Sequence, residues 1–62
     1  MRVIDLTSVL NDDRGVRIYR WGAGFLAEEY DSIRSVELKF ADEDVSMIDF
    51  DANTGDYEIY IY

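Results

Sequence analysis

The chain has no cysteine, no histidine and no proline, and no Lys or Arg follows Lys39. Without cysteine there is no disulfide and no thiolate metal site to reinforce a small core. Without histidine the commonest general base and metal ligand is missing. An apolar content of 48% and the lack of proline argue against a disordered chain despite the charge. No run approaches the roughly 20 apolar residues of a membrane span, and the start Met-Arg-Val-Ile-Asp does not read as a signal peptide. A cytoplasmic protein is expected.

What is present makes one compact domain over residues 1–62. A domain of this size buries only about 60% of the surface its unfolded chain exposes. Its stability must therefore come from apolar packing, including nine aromatic residues. The charge is uneven. Residues 1–39 carry seven acids and six bases, and residues 40–62 carry seven acids and no base, together the net −8 of the chain. Such asymmetry bears on partners and solubility more than on fold: it opposes nucleic acid and anionic lipid and favours a basic partner.

Period-2 alternation predicts a half-buried strand over Arg34–Phe40, with Val36, Leu38 and Phe40 inward, and another over Ser46–Asp51, with Ile48 and Phe50 inward. The run Tyr57–Tyr62, YEIYIY, is β-branched and aromatic, and Ala-Asn-Thr-Gly before it supplies a turn, so a hairpin is predicted there. Val3–Val9 and Val16–Trp21 read as two further strands around an Asn11–Gly15 loop, with a helical turn over Thr7–Asp12 as the variant. After Gly22 and Gly24, FLAEEYDSI places Leu26, Tyr30 and Ile33 on one helical face, with Glu28 and Glu29 near the start of that helix. The predicted fold is α+β: two layers, order β-β-α-β-β-β, a mainly antiparallel sheet with one short helix on one face. Val36, Leu38, Phe40, Ile48, Phe50, Ile59 and Ile61 form the expected core, and the opposite sheet face is left open to water.

Strand residues two apart project the same way, roughly 6.6 Å from each other. Asp49 and Asp51 thus point outward together, beside Glu58, Tyr60 and Tyr62 of the neighbouring strand. Asp42, Glu43 and Asp44 feed the hairpin and Asp56 closes its turn. The expected site is a plate of these carboxylates with Tyr60 and Tyr62 as anchors, since Tyr offers large area at small entropy cost. Closely spaced carboxylates present charge as duplex phosphates do, and the proteins that read phosphates present Lys and Arg. The same charges also serve to keep sheet edges from aggregating. Complete loss of bases after Lys39 goes beyond that need, because a face selected for solubility mixes signs.

In size, acidity and the tract DEDVSMIDFDANTGDYEIYIY (Asp42–Tyr62), the chain resembles the small acidic inhibitors encoded by phages and mobile elements. These are the anti-CRISPR and anti-restriction proteins, several of which are DNA mimics. The resemblance is of kind and involves no shared motif. It implies a non-enzymatic inhibitor, in the cytoplasm of a bacterial host where phage-encoded. Such an inhibitor binds a nucleic-acid-handling protein such as a Cas effector subunit at its basic groove.

Other patterns point elsewhere less strongly. Asp49-Phe-Asp51-Ala-Asn53-Thr-Gly55 is similar to a calcium loop, yet glycine comes one place late and position twelve is Tyr60, so the bidentate carboxylate is missing. A hairpin turn explains the same residues, and no metal or cofactor is expected. Arg14–Trp21 interleaves bases and aromatics as single-strand binders do, but net −8 favours pairing of these arginines with the acidic hairpin, or contact with another copy, over direct nucleic-acid binding. In a strand Arg17, Tyr19 and Trp21 share one face and Arg20 takes the other; Trp21 is expected at the core edge. Catalysis by paired carboxylates needs a dry cleft, for which one thin core leaves little room, and Glu28 and Glu29 diverge. The alternative to an inhibitor is a structural or assembly module whose sheet edges pair across a two-fold axis. A monomer or weak homodimer is expected.

Overall fold

A computed structural model describes residues 1–10, 13–20 and 27–62, Ala27 by its backbone alone. The elements are α1 (Val3–Thr7), β1 (Val16–Arg20), β2 (Ala27–Tyr30), α2 (Ile33–Phe40), β3 (Val45–Asp51) and β4 (Asp56–Ile61). The class is α+β, as expected. The order is α-β-β-α-β-β, with two short helices and four strands among the described residues, in place of one helix and five strands. The strands form one sheet in the order β2-β1-β4-β3. Its β1–β2 and β3–β4 pairs are antiparallel, and the central β1–β4 pair is parallel.

Residues 33–40 are helical because the run satisfies two periodicities at once. Read in twos it offers Val36, Leu38 and Phe40; read helically it offers Ile33, Val36 and Phe40. The helix buries the second set and leaves Leu38 78% exposed. Ser32 starts it, its Oγ accepting the Ser35 amide at 3.2 Å, and Lys39 lies in the last turn, where the dipole favours a cation. The predicted strand over Val3–Val9 is helix α1, lying earlier than the Thr7–Asp12 variant. Val3, Leu6 and Thr7 recur at three and four residues and are buried, and the Asp5 carboxylate accepts the Arg2 amide at 3.0 Å at the helix start. Thr7 Oγ1 donates to Glu37 Oε2 at 2.7 Å and ties the helices together.

The expected helix around FLAEEYDSI is corrected as well. Ala27–Tyr30 is strand β2, in which pairing with β1 overrides the helix propensity of Ala-Glu-Glu. The readings placed on Trp21, Gly22, Gly24 and Leu26, and on Asn11 and Asp12, lie outside the described residues.

The hairpin is where it was predicted. Gly55 sits at φ 77°, in the left-handed region that glycine enters freely, and its amide donates to the Asp51 carbonyl at 2.7 Å. The core comprises Val3, Leu6, Val16, Ile18, Ile33, Val36, Phe40, Ile59 and Ile61, between the helices and the inner faces of β1 and β4. Ile48 and Phe50 face the same side, opposite Ile59 and Tyr57. They remain 39% and 44% exposed, because the helices cover the middle of the sheet and not its β3 edge. Three expected core residues, Leu38, Ile48 and Phe50, are thus outside the core. No described helix is long and apolar enough to cross a membrane.

Candidate functional site: the open sheet face

Strand parity sets the site. With Val16, Ile18, Ile59 and Ile61 buried, Arg17 and Tyr19 of β1 and Asp56, Glu58 and Tyr60 of β4 take the opposite face. Register adds Glu29 of β2, opposite Arg17, and on β3 Met47, Asp49 and Asp51, opposite Tyr60, Glu58 and Asp56. No described element packs over this face. It holds five carboxylates and one guanidinium, net −4.

Arg17 is the centre. Its Nη2 lies 2.9 Å from Asp51 Oδ2 and 3.2 Å from Glu58 Oε2, and its Nη1 lies 3.6 Å from Asp56 Oδ2. The side chain is only 17% exposed, and among the described residues its buried Nε has no acceptor. The bond to Asp51, reinforced by the charge of Glu58, raises the guanidinium pKa further above its ordinary value. Donation by Arg17, then by the Asn53 amide, holds the Asp51 carboxyl below the usual carboxylate range. Tyr19 Oη donates to Glu58 Oε2 at 3.0 Å, and that bond, with burial, pushes the phenol above its usual 10. The Tyr19 and Tyr60 rings stack at 4.7 Å and 13°, a rigid aromatic pair beside the ionic cluster.

Two facing pairs on this surface are unfavourable by themselves: Asp51 lies opposite Asp56, and Asp49 opposite Glu58. Like charges directly across an antiparallel pair destabilise it. Arg17 relieves the first pair and Glu58. Asp49 is exposed and accepts the amide of Phe50 at 2.8 Å, and Glu29 is exposed too. Neither has an ion-pair partner among the described residues.

The expected plate is therefore divided. Asp49, Asp51, Asp56, Glu58 and Tyr60 share one face, as strand parity predicts. Asp42, Glu43 and Asp44 do not join them: they connect α2 to β3, at the end of the sheet away from the hairpin turn. There Asp42 lies 3.5 Å from Arg2, Glu43 lies 3.2 Å from Arg20, and the Asp44 carbonyl accepts the Tyr62 amide at 3.2 Å. Tyr62, 66% exposed, lies at that end as well, beyond β4. Nor is the plate free of bases, because internal pairing with Arg17 takes up three of its carboxylates. Four members of the face, Arg17, Tyr19, Glu29 and Met47, were not among the expected site residues; strand parity is the signal that finds Arg17, Tyr19 and Met47, whereas Glu29 lay in a run read as helix. The calcium-like loop serves the turn: Asp51 Oδ1 accepts the Asn53 amide at 2.9 Å and Thr54 Oγ1 accepts the Asp56 amide at 3.3 Å. Among the described residues no group of His, Cys, Asp and Glu is placed to hold a metal ion.

No protein-family model, curated protein or solved structure matches this chain.

Proposed function

We propose that the chain is a non-enzymatic inhibitor that lays its open sheet face on a basic groove of a nucleic-acid-handling protein and excludes the nucleic acid. One observation carries the reading: five carboxylates against one guanidinium on a face over which no described element packs, beside a stacked tyrosine pair. Opposite charge speeds encounter and fixes orientation, while stacked rings supply contact area at low entropy cost. Arg17 makes the face less phosphate-like than a bare row of acids. Asp49 and Glu29 are the carboxylates open to a partner's Lys or Arg, and the Arg17 cluster is the scaffold between them.

Self-assembly through the β3 edge is the second reading, favoured by the exposure of Ile48 and Phe50. Against it, two-fold pairing of β3 sets the Asp49 and Asp51 rows of both copies side by side.

The test uses the double variant Glu29→Lys/Asp49→Lys. It takes the face from net −4 to neutral without removing an ion-pair partner of Arg17. Immobilised wild-type chain is loaded with bacterial cytosol and eluted by a salt gradient, and a recovered nucleic-acid-binding protein is titrated with duplex DNA in the presence of each form. Wild type should displace the DNA and the double variant should not. Simultaneous binding of DNA and chain, or equal displacement by the variant, overturns the proposal.

A further inference from the structure

β3 is an edge strand, bonded to β4 on one side only. Its free edge is already used at one end: the Val45 amide donates to the Met1 carbonyl and the Val3 amide to the Glu43 carbonyl, both at 2.8 Å, around an antiparallel bridge between Arg2 and Asp44. Among the described residues no strand pairs with the outer edge of β3 from Met47 to Asp51. The Phe50 amide does not go to β4; it donates to the carboxylate of Asp49 at 2.8 Å. Bonding groups alternate along a strand, so the Ile48 backbone faces the same edge as that of Phe50. The two faces of this edge differ in kind. Toward the helices stand Ile48 and Phe50, both more than a third exposed; toward the open face stand Met47, Asp49 and Asp51.

We infer that this edge receives an extended segment of the basic partner, as an added antiparallel strand in which apolar residues alternate with Lys or Arg. The apolar side chains of the segment lie beside Ile48 and Phe50, and its cations lie on the face of Asp49, the β3 carboxylate that Arg17 does not engage. On binding, a carbonyl of the segment takes over the Phe50 amide, and the released Asp49 carboxylate turns to a cation. Addition of a strand supplies affinity through backbone bonds and specificity through alternate side chains. Charge selects the occupant. A second copy of this chain brings carboxylates to carboxylates, whereas a basic alternating strand brings opposite charge to one face and apolar area to the other.

The inference rests on the basic-partner reading above and narrows it to one recognition element. Its test is direct. The 15N-labelled chain is titrated with a nine-residue peptide of alternating lysine and valine, with a peptide of the same composition in two blocks, and with an alternating glutamate–valine peptide. The alternating lysine peptide should bind, slow hydrogen exchange at the Ile48 and Phe50 amides by at least about tenfold, and lose roughly tenfold in affinity to Asp49→Lys. The glutamate peptide should not bind. Equal binding of the blocked peptide without protection of those amides overturns the edge mode and leaves the basic-partner reading standing. Binding of neither lysine peptide overturns the edge mode, and the DNA-displacement experiment then decides the broader reading alone. Self-association that protects the same amides without peptide assigns the edge to a second copy and overturns the inference.

Discussion

The open face exists only because residues 33–40 form a helix on the other side of the sheet, and two truncations test that directly. Val36 is fully buried and Leu38 is 78% exposed. As a strand, the same run would turn both side chains inward, and Leu38→Ala, removing more carbon, would be the costlier change. As a helix the order reverses. Val36→Ala removes two methyl groups, worth about 0.8 kcal/mol each, and adds a cavity. The better helix propensity of alanine returns a few tenths of a kcal/mol, which leaves a loss of about 2 kcal/mol. For a domain of this size that lowers Tm by about 8–16 °C, at roughly 4–8 °C per kcal/mol. Leu38→Ala should stay within about 0.5 kcal/mol, as exposed substitutions do. Thermal and urea unfolding of the two variants beside wild type measure both numbers. A Leu38→Ala loss equal to or greater than that of Val36→Ala refutes the helix, and with it the assignment of which sheet face is open.

Two further predictions concern the hairpin and its ionic cluster. Asp51 is held below its ordinary 3.8 chiefly by Arg17. A depressed carboxyl contributes stability that is present above its unfolded value and is lost as pH falls through the folded one. Arg17→Met removes that contribution and leaves three carboxylates crowded, so the variant should be less stable than wild type at neutral pH. Protonation then relieves the crowding, and the gap in urea midpoint should narrow on going to about pH 3; a gap that stays constant or widens contradicts the cluster. Gly55→Ala places a side chain at φ 77° and 2.9 Å from Arg14 Nη1, and left-handed strain of about 1–2 kcal/mol should appear as a lower urea midpoint; an unchanged midpoint argues against this turn.

The hairpin was legible in the sequence because its signals are local and agree: alternation on both sides of a turn ending in glycine. Val16–Arg20 was legible for the same reason, and strand parity then brought Asp49, Asp51, Glu58 and Tyr60 correctly to one face. What failed was the choice between periods. IRSVELKF satisfies both a strand and a helix, and the deciding contact, burial of Ile33 and Val36 against α1 and the inner sheet face, is not local. AEEY carries helix propensity yet pairs with β1, again a tertiary contact. The parallel β1–β4 pairing that delivers Arg17 to Glu58 joins residues 41 positions apart, a separation for which alternation gives no signal. Asp42, Glu43 and Asp44 misled because nearness in sequence to an acidic strand does not place a loop on the face of that strand.

The same parallel pairing explains how so acidic a hairpin is held. Asp51 facing Asp56 and Asp49 facing Glu58 oppose the β3–β4 pairing. Insertion of β1 answers with one guanidinium, placed where it reaches three of those four carboxylates. A second base beside Asp49 or Glu29 would lower the self-repulsion that remains. Here the repulsion is relieved at the centre and retained at the rim. The retained charges are the ones exposed to solvent, and Asp49 also borders the free edge of β3. On the proposed reading, cationic side chains of a partner would complete the balance that Arg17 leaves unfinished at Asp49 and Glu29, and at Asp49 they would do so beside the β3 edge.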